Sequence, residues 1–302
     1  VNGYAGVDFN QDDLSGDDLH RVCQRLANEG VRGILATIIT EEISVMARRL
    51  RRLVELRDAD PLIQSVIAGL HIEGPFLNPT PGYRGAHPVD AICPATVDAM
   101  EHLLEAGAGQ VRLVTLAPEQ DASFSVARVL SMQGIAVSAG HCDPSLDTLD
   151  AAIDAGLTLF THLGNGCPME MHRHDNIIQR VLSRSDRLWI TFIGDGVHVP
   201  FFALRNYLSV VGEERAIIVT DAMTAAGLGP GRYTLGRWDV EVGEDGAAWA
   251  PDRSHLVGAA ITMPQCAANL RTHLGFSEET IRRLTFDNPR KAVLGTQERA
   301  TL

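Results

Sequence analysis

The sequence has no run of 18 consecutive apolar residues, so no membrane-spanning helix is expected and no membrane partner. Aromatic residues make up only 5% of the chain. Basic residues are outnumbered 26 to 38, for a net charge of −12. The only dense basic stretch, ARRLRRL at 47–53, has the period of a solvated helix face, and no nucleic-acid partner is expected. Cysteine is scarce: five residues (23, 93, 142, 167 and 266), odd in number and never spaced CxxC. That excludes a disulfide framework and a thiolate metal site, and it suits a reducing cytoplasm. The chain opens VNGYAGVDFN, with neither a leader pattern nor an initiator methionine, and we expect it to begin inside a longer product. There is no internal repeat and no low-complexity tract.

What is present is alternation. Short β-branched runs, RGILAT (32–37), SVIAGLHIE (65–73), VRLVTLAPE (111–119), IAVSAGH (135–141), LTLFTHL (157–163), RLWITFIGD (187–195) and AIIVTD (216–221), are separated by segments with apolar 3–4 spacing. Strand–helix alternation implies parallel strands joined by helical crossovers. The seven runs and a stub, VNG at the start, make eight, and we expect an α/β fold of the (β/α)8 TIM-barrel type. Residues 1–302 are expected to form a single domain. The Gly-rich, alternating stretch 222–254 after the eighth strand predicts a small antiparallel β excursion.

The strand ends carry the chemistry. They stop at Thr37, Glu73, Glu119, His141, His162, Asp195 and Asp221, with Asn2 after the stub. A barrel delivers such residues to one face, where the active site lies. Two imidazoles and one carboxylate, His141, His162 and Glu73, form a normal catalytic zinc set with a position left for water. Asp221 is the candidate to shuttle the proton of that water. His71 shares Glu73's side of its strand one layer deeper, where packing is its expected job. The cluster HRHDN (172–176) is a possible second metal site, but a polar loop is the preferred assignment.

At this point the chain resembles the N-acetylglucosamine-6-phosphate deacetylases of the amidohydrolase superfamily. The matching stretches are NGYAGVDFN, HIEGPFLNPTPGYRGAHP, TLAPE, SAGHCD, THLGNG, GDGVHV, VTDAMTAAG with GRYTLG, LVGAAITM and FDNPRKAVLG. The resemblance implies metal ligands at Glu73, His141 and His162, the acid/base at Asp221, and a substrate contact near the reacting amide at His87. It implies further substrate contacts at Asn2 (near the phosphate), Ala86, Asn165, Gly166, Arg173, His198, Val257 and Gly258. Arg173 is expected to reach the site of a neighbouring subunit, which implies a homodimer. The family's Phe and Ala are replaced here by Gly164 and Gly166, and its REPG-like stretch by RHDN. Its small terminal β-sandwich and most of its first strand are absent from this sequence, and Asn2 stands where some relatives place a second histidine and hold two metals, so the resemblance implies one divalent ion here. Zinc is the first choice, with iron, cobalt or manganese as alternatives.

The expected activity is hydrolysis of N-acetylglucosamine 6-phosphate to glucosamine 6-phosphate and acetate. The alternatives are deacetylation of an unphosphorylated or epimeric acetylamino sugar, another amidohydrolase reaction, or sugar-phosphate binding without turnover.

Overall fold

The computed structural model describes residues 1–294. Seven parallel strands form one curled sheet in sequence order: β3 (Ile34–Ile39), β4 (Ile67–Glu73), β5 (Val111–Leu116), β6 (Ala136–Ala139), β7 (Leu157–Phe160), β8 (Trp189–Ile193) and β9 (Ala216–Val219). Before them, β1 (Gly3–Tyr4) and β2 (Val7–Asp8) pair as a two-residue antiparallel hairpin. After them, β10 (Gly231–Leu235), β11 (Trp238–Val242) and β12 (Ala248–Trp249) form a three-stranded antiparallel sheet.

The helices between and after the strands are α1 (Gly16–Asn28), α2 (Ile43–Ala59), α3 (Pro61–Val66), α4 (Val97–Ala106), α5 (Ser125–Met132), α6 (Leu146–Asp154), α7 (Ile177–Leu182), α8 (Phe201–Val211), α9 (Met263–Leu274), α10 (Glu278–Arg282) and α11 (Asn288–Val293). Their starts follow local chemistry. Ser15, Thr96 and Ser145 each accept a hydrogen bond from the backbone N–H three residues on, and Thr262 with Gln265 closes a capping box. No described helix is long and apolar enough to cross a membrane.

Three expectations need correction. The eighth barrel strand, expected at the VNG stub, does not form a ladder. Val1 accepts one backbone hydrogen bond from Thr37 at the β3 edge (2.9 Å), and the Asn2 N–H donates to Ala222 just beyond β9 (2.7 Å). The chain then turns through Ala5 and Gly6, both at positive φ. Second, the run 65–73 becomes a strand only at Ile67. Asp60 caps α3 by accepting from the Leu62 and Ile63 N–H groups, and Pro61 opens the helix, so Ser65 and Val66 are helical. Third, β5 stops at Leu116 and Glu119 lies in a 3₁₀ turn, where it accepts from Asn78 and the Asp143 N–H. Glu119 is a loop brace. The C-terminal end of the expected 1–302 domain lies outside the described residues.

The main apolar core fills the space between sheet and helices, with Leu50, Leu53, Met100, Leu103, Val114, Val137, Leu204 and Leu270 all buried. Each such side chain contributes roughly 1.5–3 kcal/mol by leaving water. The inner face of the sheet is different, because it carries a hydrogen-bonded polar row. His71 contacts Thr37 Oγ1 (3.2 Å) and Thr115 Oγ1 (2.8 Å), and Thr161 joins Thr115 (2.9 Å) to Ser138 (2.7 Å). Both His71 ring nitrogens are therefore used in packing strands together, and burial drives its pKa down to about 4, which keeps it neutral.

Candidate active site

Glu73 is the last residue of β4 and points to the same side as His71, one layer closer to the open end of the sheet. His141 and His162 follow β6 and β7 by two residues. All three are buried, and their donor atoms lie within 4.8 Å of one another. His162 Nε2 is 3.3 Å from Glu73 Oε1, and His141 Nε2 is 3.2 Å from His162 Nε2. Burial opposes charge on Glu73, yet His141 and His162 hold its carboxyl well below the usual range. The set is one anion and two imidazoles converging from three strands.

The chemistry of these donors fits a divalent cation. His141 Nδ1 donates to the Tyr83 carbonyl (3.0 Å), which leaves Nε2 with its lone pair directed at the cluster. Two glycines flank the His141 ring. A Cβ on Gly85 would stand 2.9 Å from Cε1, and one on Gly166 would stand 2.8 Å from Nδ1. Eight non-glycine described residues have positive φ, and His141, His162 and Asp221 are three of them. Such backbone is disfavoured for side-chain-bearing residues and persists where the surroundings impose it, typically at functional sites.

His87 completes the centre. The Thr40 hydroxyl donates to the Glu73 carbonyl (3.2 Å) and lies 2.7 Å from His87 Nδ1, so this ring nitrogen is the donor and Nε2 faces His141 Nε2 at 3.3 Å. Burial, then the neighbouring His141, lowers the His87 pKa to about 3, and the ring is neutral at physiological pH. Asp221 sits two residues past β9, near enough to act on the charge of His162. Its Oδ1 accepts from Asn2 Nδ2 (2.9 Å).

The remaining candidates occupy the surrounding loops. Asn165 donates to the His162 carbonyl (3.2 Å). Val257, Gly258 and Ala259 run beside Asp221, whose carbonyl accepts from the Ala259 N–H (2.9 Å), and Ala86 packs on the apolar cluster containing Val257. Asp195 binds His198 Nδ1 at 2.6 Å and also accepts from the N–H groups of Val197 and His198. The 172–176 segment is a polar loop: His172 Nδ1 accepts from the Asp175 N–H, and Asp175 pairs with Arg180. Arg173 is exposed and has no ion pair among the described residues.

Sequence reasoning missed Tyr83, Thr40 and the partnership of Asp195 with His198. Only the last left a signal, the D-x-x-H spacing of an Asx turn. Two surface clefts, one of about 490 Å³ lined by Arg282, Arg283, Phe286 and Arg290 and one of about 270 Å³ beside Arg48 and Arg52, share no residue with this centre.

No protein-family model matches the chain. It is 34% identical to N-acetylglucosamine-6-phosphate deacetylase of Bos taurus, over 99% of this chain and 73% of that protein. It is 30% identical to N-acetylgalactosamine-6-phosphate deacetylase of Escherichia coli O157:H7, over 89% of this chain and 69% of that protein. Among solved structures, it superposes with a TM-score of 0.87 on a mutant N-acetyl-D-glucosamine-6-phosphate deacetylase of Mycobacterium smegmatis in complex with N-acetyl-D-glucosamine-6-phosphate. That match is 29% identical and covers 97% of this chain and 75% of the other.

Proposed function

The chain belongs to the N-acetylglucosamine-6-phosphate deacetylase family, and from that premise we propose how its own residues carry the reaction. It is a hydrolase that removes the acetyl group of N-acetylglucosamine 6-phosphate, leaving glucosamine 6-phosphate and acetate. The observation that carries the residue assignment is the convergence of Glu73, His141 and His162 within 4.8 Å beside Asp221.

Glu73, His141 and His162 would hold one divalent ion. Zinc suits two imidazoles and a carboxylate best, and iron, cobalt or manganese accept the same donors. Bound there, such an ion polarises the amide carbonyl and makes water nucleophilic near neutral pH. Asp221 takes a proton from the attacking water as its oxygen bonds to the acetyl carbon. The same carboxyl then gives that proton to the nitrogen as the C–N bond breaks, because an unprotonated amine is a poor leaving group. His87, neutral with Nε2 turned to the centre, accepts a hydrogen bond at the reacting end.

Asn165, Gly166, Ala86, Val257 and Gly258 line the sugar, and His198, held by Asp195, contributes a polar contact. Arg173, exposed and without an ion pair among the described residues, is assigned to the phosphate of a neighbouring subunit's substrate, and the protein to a homodimer. Residues 1–302 are assigned to one catalytic domain. The five free cysteines favour a reducing, cytoplasmic setting.

A second reading, the galactosamine epimer, is favoured by the 30% identical relative from Escherichia coli O157:H7. Acetate release from a panel of acetylamino sugars, with and without the 6-phosphate, tests the assignment. The expected preference is N-acetylglucosamine 6-phosphate. A preference for the galactosamine epimer, or for an unphosphorylated sugar, would overturn the substrate and leave the amide chemistry standing.

A further inference from the structure

The resemblance gave Asn2 a place near the phosphate, but its side chain is engaged elsewhere. Asn2 Nδ2 donates to Asp221 Oδ1 at 2.9 Å. A carboxylate can only accept, so the amide must turn its nitrogen toward Asp221. Asn2 is 3% exposed, and its carboxamide oxygen is buried without a partner among the described residues. Leaving a buried acceptor unpaired is destabilising, so this orientation is held at a cost to the fold.

The backbone explains how it is held. The Asn2 N–H donates to Ala222, the residue after Asp221 (2.7 Å), and the Asn2 carbonyl accepts from the Phe9 N–H (3.0 Å) and from Asn10 Nδ2 (3.2 Å). Asn10 is fully buried and spans to β3, donating to the Thr37 carbonyl (3.1 Å) and accepting from the Ile39 N–H (2.9 Å). Asn2 is thus tied to both edges of the sheet and to the segment carrying the carboxylate.

We propose that Asn2 is a positioning residue for Asp221. Its amide occupies one carboxylate oxygen, Oδ1, so that Oδ2 alone exchanges the proton with the reacting atoms. This rests on Asp221 being the acid/base of the deacetylation.

The test uses Asn2→Ala and the isosteric Asn2→Asp in the full chain, beside Asp221→Asn. kcat and KM are measured on N-acetylglucosamine with and without the 6-phosphate, together with metal content. Both Asn2 variants are expected to lose about tenfold or more in kcat, the scale of one hydrogen bond to a charged group. The loss should be alike on both sugars, with KM within about twofold of the unmodified protein and metal content unchanged. Asn2→Asp should be the slower, because it sets a second carboxylate against Asp221. An unchanged kcat in Asn2→Ala would overturn the proposal. So would a loss confined to KM for the phosphorylated sugar, which marks a phosphate contact, or a fall in bound metal, which marks a structural role. Normal turnover by Asp221→Asn would instead remove the acid/base assignment on which the proposal stands.

Discussion

Gly85 lies so close to the His141 imidazole that a methyl group on it would stand 2.9 Å from Cε1. The glycine also has φ near 56°, a backbone that favours residues without a Cβ. Gly85→Ala is therefore expected to displace the His141 ring and to add strain of about 1–3 kcal/mol. Lower bound metal and a lower Tm than the unmodified protein should appear together. Unchanged metal content would mean that the glycine is not needed to seat the ring.

Asp221→Asn keeps the shape of the side chain but removes its ability to take a proton. Bound metal should survive, since Asp221 is not among the three converging donors, while kcat falls by about 10²-fold or more. Steady-state kinetics with elemental analysis of the same sample decides it. Turnover near the normal rate would make Asp221 structural.

Asp195 gives a pH dependence of stability. Burial opposes its charge, but His198 and the N–H groups of His198 and Val197 outweigh that and hold its carboxyl below the ordinary range. A carboxyl depressed on folding binds protons more readily in the unfolded chain. Its stabilisation is therefore present above the unfolded value, about pH 4, and is lost as pH falls through the folded one. Asp195→Asn should be less stable at neutral pH and should show a shallower acid decline. Thermal melts from pH 3 to 6 measure this, and parallel curves for the two proteins would contradict it.

Arg173 makes no ion pair among the described residues, and a planar guanidinium matches phosphate oxygens with two parallel hydrogen bonds. Arg173→Ala should lower kcat/KM for the 6-phosphate by about 2 kcal/mol and leave the unphosphorylated sugar nearly unchanged. Equal losses on both would place Arg173 away from the phosphate, and no loss on either would make it a bystander.

The parallel strands and the metal-type triad were legible because both depend on local pattern. The β-branched runs lead to Glu73 at the end of β4 and to His141, His162 and Asp221 two residues past β6, β7 and β9, and successive parallel strands put these ends on one face. Other features depend on contacts between distant residues. The Tyr83 carbonyl that orients His141 is backbone, and no side chain announces it. The Asn2–Asp221 bond joins residues 219 apart and exists only because the sheet curls until its two edges approach. Ser65 and Val66 read as strand because their β-branched continuation into Ile67 hides the helix that starts at Asp60-Pro61. Local capping chemistry prevailed there over strand propensity.

Elemental analysis of purified His141→Ala, His162→Ala and Glu73→Gln, paired with acetate release from N-acetylglucosamine 6-phosphate, tests the metal centre most directly. The two histidine variants should lose most bound metal and nearly all hydrolysis, and the glutamine should bind metal more weakly because a neutral amide is a poorer ligand than a carboxylate. Full metal occupancy in both histidine variants would contradict a site built from Glu73, His141 and His162.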